Sequence, residues 1–294
     1  MLFIISLSVL LYGLSGASQE ILVIQSIRIR PYENALTGFR EACGCNTRQL
    51  VLSETKEADV SGHIRTVKPA AILAIGIDAL TAIEGIRDIP VIYLMVLNPW
   101  MHHPGGGNIT GVSMAIPPEK QLATFREALP DARRIGLLFD PDKSAAFVKR
   151  AREAAEESGT TLIAKRVIDA RDVPALIKGM KGEIDAFWML PDTTVISTET
   201  IDFLLLFSIE NRIPVLTFSE KFVEKGALMS LTFDASDMGR QAGHMAEKIL
   251  TGTKPNEIPN EEARKVIISI NPKTAREMGI TFNKTILDRA RIVR

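Results

Sequence analysis

The chain has 294 residues, and at about 150 residues per domain this length predicts two domains. Its 35 Lys and Arg residues are balanced by 35 Asp and Glu residues, so it lacks the basic excess typical of proteins that bind nucleic acid. The hydrophobic fraction of 46% and the charged fraction of 24% exclude a disordered, collagen-like or coiled-coil chain. With 2 Cys and 4 His residues, we expect no bound metal and no cofactor.

The first 17 residues carry no charge and contain an apolar run from Leu2 to Tyr12. Small residues follow at Ser15 and Ala17, which is typical of a signal peptide cleaved after Ala17. We therefore predict a signal peptide over 1–17 and a periplasmic or other extracytoplasmic location. An uncleaved membrane anchor remains an alternative, although the run is short for a bilayer.

After residue 20, short apolar segments alternate with helical patterns. Strands are predicted at Ile21–Ile24, Gln49–Leu52, Ala71–Ile75, Val91–Val96, Ile135–Phe139, Thr161–Ala164, Ala186–Leu190, Val215–Phe218, Ala227–Leu231 and Val266–Ile270. Helices are predicted after Pro31 and at Glu119–Leu129, Ser144–Glu157, Thr198–Asn211 and Ser236–Leu250. Because continuous apolar strands alternate with helices, we predict an α/β protein with doubly wound parallel sheets.

Cys43 and Cys45 lie at the end of the first predicted helix, with Gly44 between them. A bridge across one residue closes almost no loop and would stabilise the fold little. The sequence therefore leaves open whether these two residues pack as thiols or form a disulfide.

The element order occurs twice, because Ile21 and Ile135, and likewise Ile75 and Met189, stand 114 residues apart. We therefore predict two hinged lobes of similar topology after the signal peptide. The N-terminal lobe comprises 18–114 with 234–264, and the C-terminal lobe comprises 115–233 with 265–294.

Ligands of open parallel sheets bind beyond the carboxyl ends of the strands, and two such lobes would face each other across a cleft. This rule selects the candidate ligand-binding residues Ser26, Tyr32, Ile77, Asp78, Asn98, Asp140, Asp192, Ser219 and Asp234. For the last three aspartates, Asp140, Asp192 and Asp234, helix N-capping is the alternative to ligand binding.

No motif in the sequence indicates catalysis. The run Gly105–Gly107 lacks the lysine of a phosphate-binding loop, and no metalloprotease or nucleophile-elbow signature is present. We therefore predict that the protein is not an enzyme. An exported hydrolase that uses Asp140 or Asp192 is a weaker alternative.

Several segments together resemble one family. They are PYENALTGFREA (31–42), PGGGNITGVS (104–113), FWMLPDTTVIS (187–197), the long segment 213–250 and INPKTAREMGI (270–280). In this order they resemble ABC transporter substrate-binding proteins of the type I periplasmic-binding fold, in the branch that includes tryptophan- and phenylalanine-type binders.

The resemblance implies a monomeric binding protein that closes on a small organic solute, which is amino-acid-like in some members. The solute would be delivered to a membrane permease with its ATPase, and neither nucleic acid nor catalysis is implied. A ligand-sensing receptor that reports to a membrane signalling protein is the alternative function.

Overall fold

The computed structural model describes residues 20–55, 59–97, 99 and 107–293. The predicted signal peptide (1–17) and the candidate residue Asn98 lie outside the described residues. The strands are β1 (Ile21–Gln25), β2 (Thr47–Val51), β3 (Ala71–Ile75), β4 (Val91–Val96), β5 (Ile109–Ser113), β6 (Arg134–Phe139), β7 (Thr161–Arg166), β8 (Ala186–Trp188), β9 (Val215–Thr217), β10 (Met229–Phe233), β11 (Glu261–Glu262), β12 (Val266–Ile270) and β13 (Ala290–Ile292).

Helices connect most of these strands, as the sequence predicts. They are α1 (Arg30–Cys43), α2 (Val60–Val67), α3 (Ile77–Thr81), α4 (Pro118–Ala128), α5 (Pro141–Glu157), α6 (Val173–Lys178), α7 (Thr198–Asn211), α8 (Glu220–Glu224), α9 (Ala235–Leu250), α10 (Pro272–Met278) and α11 (Lys284–Arg289). No helix among the described residues is long and apolar enough to cross a membrane.

The chain divides into two compact units. Unit 1 runs to Val112 and includes Gly239–Asn260, and unit 2 comprises Ser113–Met238 and the chain from Glu261 onward. In unit 1 the strands lie in the order β2–β1–β3–β4–β5, and β1 pairs in parallel with both β2 and β3. The residues Ile21–Ile24 have no exposed surface, because helices cover both faces of a doubly wound sheet.

In unit 2 the strand order is β7–β6–β8–β9–β10–β12–β13. The pairing is parallel except between β10 and β12, which are antiparallel. Alternate residues of β8 enter two separate cores: Trp188 packs in one and Phe187 in the other. Since successive side chains of a strand point to opposite faces, both faces of this sheet are buried.

Glycines bring α9 against α1 within unit 1. A Cβ at Gly239 would lie 1.9 Å from the Ala35 carbonyl oxygen, and one at Gly243 would lie 2.7 Å from the Phe39 carbonyl oxygen. A side chain with a Cβ would collide with the backbone of α1, so these two positions of α9 require glycine.

The structure joins Cys43 and Cys45 in a disulfide. The bridge spans the end of α1, where Gly44 adopts the left-handed conformation at φ 59° and its N–H donates to the Arg40 carbonyl oxygen. The turn of the chain at this helix end places the two sulfur atoms close together.

Candidate functional site

Two strand ends meet in unit 1, where β1 and β3 are neighbours and Gln25 pairs with Ile75. Just beyond them, the Ala79 N–H at the start of α3 donates to Ser26 Oγ over 3.0 Å. Gly76 lies between β3 and α3 with φ 90° and ψ 168°, a backbone conformation that is nearly confined to glycine. The carboxyl ends of these strands are therefore fixed by tight local contacts.

Tyr32 of α1 packs over this turn. A Cβ at Gly76 would lie 2.6 Å from both the Tyr32 hydroxyl oxygen and Ser26 Oγ. Burial raises the pKa of Tyr32, and the negative charge of the nearby Asp78 raises this pKa further. The structure thus brings Ser26, Tyr32, Ile77 and Asp78 to one edge of the unit 1 sheet.

A buried amide supports the loop that follows β1. Gln25 has no exposed surface, and its Nε2 donates to the Ile27 carbonyl oxygen over 2.8 Å and to the Glu33 carboxylate over 2.9 Å. Its Oε1 accepts a hydrogen bond from Gln49 over 2.8 Å. All of these bonds stay within unit 1, so Gln25 positions the loop that carries Ser26 and Ile27.

Four aliphatic side chains at this edge are solvent-exposed, and three of them are absent from the predicted site. Ile27, Ile29, Ile77 and Leu97 are 36–40% exposed, and they follow β1, β3 and β4, which are adjacent strands. We call these four residues the apolar rim. An aliphatic residue within two positions of the end of a buried strand is the sequence signal that could have found Ile27 and Leu97.

In unit 2, Asp140 and Asp192 lie together at the ends of β6 and β8. Asp192 is 1% exposed, and its carboxylate accepts hydrogen bonds from the Asp140 N–H (2.8 Å), the Ser144 hydroxyl (2.7 Å) and the Thr194 N–H (3.0 Å). These partners all belong to unit 2, so the Asp192 carboxylate ties together the loops after the two strands.

Asp140 is the N-cap of α5, where its carboxylate accepts from the Asp142 N–H over 2.9 Å. The Thr194 hydroxyl and the Asp142 N–H, which both donate to the Asp140 carboxylate, hold its pKa below the ordinary value. Lys143 lies 3.9 Å from the same carboxylate and also donates to the hydroxyls of Thr193 and Thr194. This corner of unit 2 is a hydrogen-bonded network of mixed charge.

Ser219 and Asp234 follow β9 and β10, which are also adjacent in the unit 2 sheet. Ser219 is the N-cap residue of α8 and makes no capping bond with its side chain. Asp234 directly precedes α9, accepts from the Asp237 N–H over 3.1 Å and lies 2.7 Å from Lys265 Nζ. The N-capping alternative therefore describes both Asp140 and Asp234.

No group of three or more His, Cys, Asp or Glu side chains that could hold a metal ion occurs within the described ranges. The polar groups of the two strand-end edges include hydroxyls, carboxylates, lysines and arginines. Such groups can bind a small solute by hydrogen bonds and charge.

Two doubly wound, mostly parallel α/β sheets, each with polar residues at the carboxyl ends of its strands, define the fold class of the type I periplasmic-binding proteins. The family model described as ABC transporter substrate binding protein matches residues 49–294. The chain therefore belongs to this family of solute-binding proteins, and the resemblance drawn from the sequence is confirmed.

Among curated relatives, the chain is 26% identical over 211 residues to the tyrosine-binding protein of Clostridioides difficile. That alignment covers 69% of this chain and 60% of the relative, so the chain spans less than two thirds of that relative's length.

Two solved structures share the fold. One is the ligand-free, open structure of a Clostridium difficile substrate-binding protein with adhesive properties, with a TM-score of 0.77 and 21% identity, covering 94% of this chain and 99% of that chain. The other is an ABC domain in complex with L-Trp from Streptococcus pneumonia, with a TM-score of 0.64 and 23% identity, covering 95% of this chain and 100% of that chain.

Proposed function

We propose that this chain is the extracytoplasmic solute-binding protein of an ABC importer. It binds a small organic solute of amino-acid-like size through residues at the carboxyl ends of the strands, and it catalyses no reaction. A membrane permease with its ATPase receives the solute. The names of the relatives, which include a tyrosine-binding protein and a domain in complex with L-Trp, support the size of the solute.

One observation carries this proposal. At the edge of unit 1, the Tyr32 hydroxyl and Ser26 Oγ lie against Gly76, and the negative charge of Asp78 is near enough to raise the pKa of Tyr32. Within the described part of the chain, neither the Tyr32 hydroxyl nor the Asp78 carboxylate has a hydrogen-bond partner. The half-buried Tyr32 hydroxyl and the exposed Asp78 carboxylate are therefore both available to a ligand at the strand ends, where open parallel sheets bind their ligands. We propose Ser26, Tyr32, Ile77, Asp78 and Asn98 as the unit 1 contacts.

For unit 2 we propose contacts near Asp140, Asp192, Ser219 and Asp234. The buried carboxylate of Asp192 already accepts three hydrogen bonds from its own unit, so its part is to hold the loops in place. Asp140 keeps 14% of its side chain exposed and lies beside Lys143, which gives the solute access to both charges.

The test is a thermal-shift screen of the purified chain against a library of small metabolites. A solute at 100 times its Kd stabilises a folded protein by about 2.7 kcal/mol, which corresponds to a rise in Tm of about 5–10 °C. Absence of a shift with every solute class, from a chain that shows a cooperative melt, would contradict the proposal.

Two matched tyrosine variants in unit 1 separate binding from stability. Tyr32→Phe removes a hydroxyl without a described partner, so we expect an unchanged Tm and a several-fold weaker Kd for the solute found in the screen. Tyr93→Phe removes the hydrogen bond to Asn260 (3.0 Å), so we expect a lower Tm and an unchanged Kd. The reverse pattern would show that Tyr32 is not a contact.

A further inference from the structure

The apolar rim occupies one short stretch of the unit 1 sheet edge. Gln25 pairs with Ile75 and Ile75 pairs with Leu94, so β1 and β3 end at the same level and β4 continues two residues further. Neighbouring strands lie about 4.8 Å apart, so Ile27, Ile77 and Leu97 follow strand ends that span about 10 Å. An exposed aliphatic group of this width at a ligand-binding edge fits the apolar body of a small molecule.

The charge at this edge is negative. Asp78 is exposed and has no ion-pair partner within the described part of the chain. Its negative charge contributes to the raised pKa of Tyr32. Arg28, the cation in the loop after β1, is engaged by the Glu54 carboxylate at 2.7 Å and by the Glu33 carboxylate at 3.5 Å. The Ala79 N–H, a main-chain donor at the start of α3, is bound to Ser26 Oγ.

Arg30 is the remaining cation of this loop. It is exposed at the first position of α1. Arg30 is the cation that could pair with a ligand carboxylate at this edge, but that carboxylate would also meet Asp78, where like charges repel.

From this arrangement, and given the solute-binding function proposed above, we propose that unit 1 selects a protonated organic amine with an apolar body and without a carboxylate beside the amine. The ammonium donates hydrogen bonds to the Asp78 carboxylate and to the Tyr32 hydroxyl oxygen, and the apolar body lies on Ile27, Ile77 and Leu97. A free amino acid shares the ammonium but carries a carboxylate toward Asp78, and binds more weakly.

Isothermal titration of the full chain with two matched series tests this selectivity. The indole series is tryptamine, L-tryptophan and indole-3-propionate, and the isobutyl series is 3-methylbutylamine, L-leucine and 4-methylpentanoate. In at least one series we expect the amine to bind about tenfold or more tightly than the amino acid, with no binding of the carboxylate.

Charge variants identify the groups responsible. Asp78→Asn should weaken amine binding about 10- to 100-fold, as expected when a hydrogen bond to a charged group is lost. Asp88→Asn is the matched control, because Asp88 is an exposed aspartate of the same unit that precedes β4 instead of following a strand. It should leave the Kd unchanged, and Arg30→Gln should not weaken amine binding.

The outcomes separate this inference from the proposed function. Three results would overturn the amine selectivity and leave the solute-binding function intact. They are equal or tighter binding of the amino acid, an unchanged Kd in Asp78→Asn, and weaker amine binding in Arg30→Gln. If neither series binds, the library screen decides: a hit that is an apolar amine without a carboxylate supports the inference, and any other hit overturns it. A screen without any hit contradicts the proposed function as well.

Discussion

Substitution of Gly76 by alanine tests the packing at the unit 1 edge. At φ 90° and ψ 168° a residue with a Cβ is strained by about 1–3 kcal/mol. The new methyl group would lie 2.6 Å from Ser26 Oγ and from the Tyr32 hydroxyl oxygen, so both side chains must move. Loss of the hydrogen bond from the Ala79 N–H to Ser26 adds about 1 kcal/mol.

We therefore expect Gly76→Ala to lower the free energy of unfolding by about 2–4 kcal/mol and the Tm by about 5–15 °C. Urea denaturation followed by circular dichroism gives the free energy, and calorimetry gives the Tm. Binding of the solute found in the screen should weaken at least about tenfold, because Ser26 and Tyr32 both shift.

Gly252→Ala is the control for backbone strain alone. Gly252 has φ 105° in the same unit, and a Cβ at this position would meet nothing within 4 Å beyond its chain neighbours. The free energy of unfolding of this variant should fall by about 1–2 kcal/mol, and its solute affinity should not change. Equal losses of stability and unchanged affinity in both variants would refute the close packing of Ser26 and Tyr32 on Gly76.

Three further predictions concern stability. Asp192→Asn places an amide NH₂ among groups that donate to the buried carboxylate. It should lower the free energy of unfolding, measured by urea denaturation, by about 2–4 kcal/mol. A decrease below about 0.5 kcal/mol would show that the network is not formed. The Arg134 guanidinium, which donates to Asp185, holds the pKa of that carboxyl below its usual range. The contribution of Asp185 is therefore complete above its unfolded pKa of about 3.9 and is lost as pH falls through the lower folded pKa. Asp185→Asn should thus lower the free energy of unfolding by about 1–2 kcal/mol at pH 7 and by progressively less as the pH falls below about 4. A loss of stability that is independent of pH would contradict this linkage. Reduction of the Cys43–Cys45 bridge should lower stability by at most about 2 kcal/mol, because it closes a loop of one residue; a larger drop in Tm with dithiothreitol would require another role.

The buried strands could be predicted because their apolar runs are continuous. Ile21–Gln25 and Ala71–Ile75 show this in unit 1. Three strands, β5, β11 and β13, are absent from the prediction. The buried strand β5 has the mixed sequence ITGVS, whereas β11 and β13 have only two and three residues and little buried surface. Such segments carry no hydrophobic periodicity, and their pairing depends on the neighbouring strands.

The start of α5 shows how local chemistry shifts a boundary. The apolar pattern predicts a helix from Ser144, whereas the helix begins at Pro141 because Asp140 caps it and proline suits the first turn. The first turn of α5 is polar, so the pattern of apolar residues does not predict it.

The candidate site was predictable in position and less so in role. The strand-end rule brings Ser26, Tyr32 and Asp78 to one edge, but a sequence does not show whether an aspartate caps a helix, faces solvent or is buried in a hydrogen-bond network. Asp192 is the clearest case of burial, because its partners include Ser144 and the Asp140 N–H, which are distant in sequence. Whether the predicted residues contact a ligand stays a prediction.

The most direct test of the solute-binding account is a crystal structure of the chain with the solute that gives the largest rise in Tm. The account predicts ligand density within hydrogen-bond distance of the Asp78 carboxylate and the Tyr32 hydroxyl, beyond the ends of β1 and β3. Density for the solute away from the carboxyl ends of the strands, with Tyr32 and Asp78 facing only water, would contradict it.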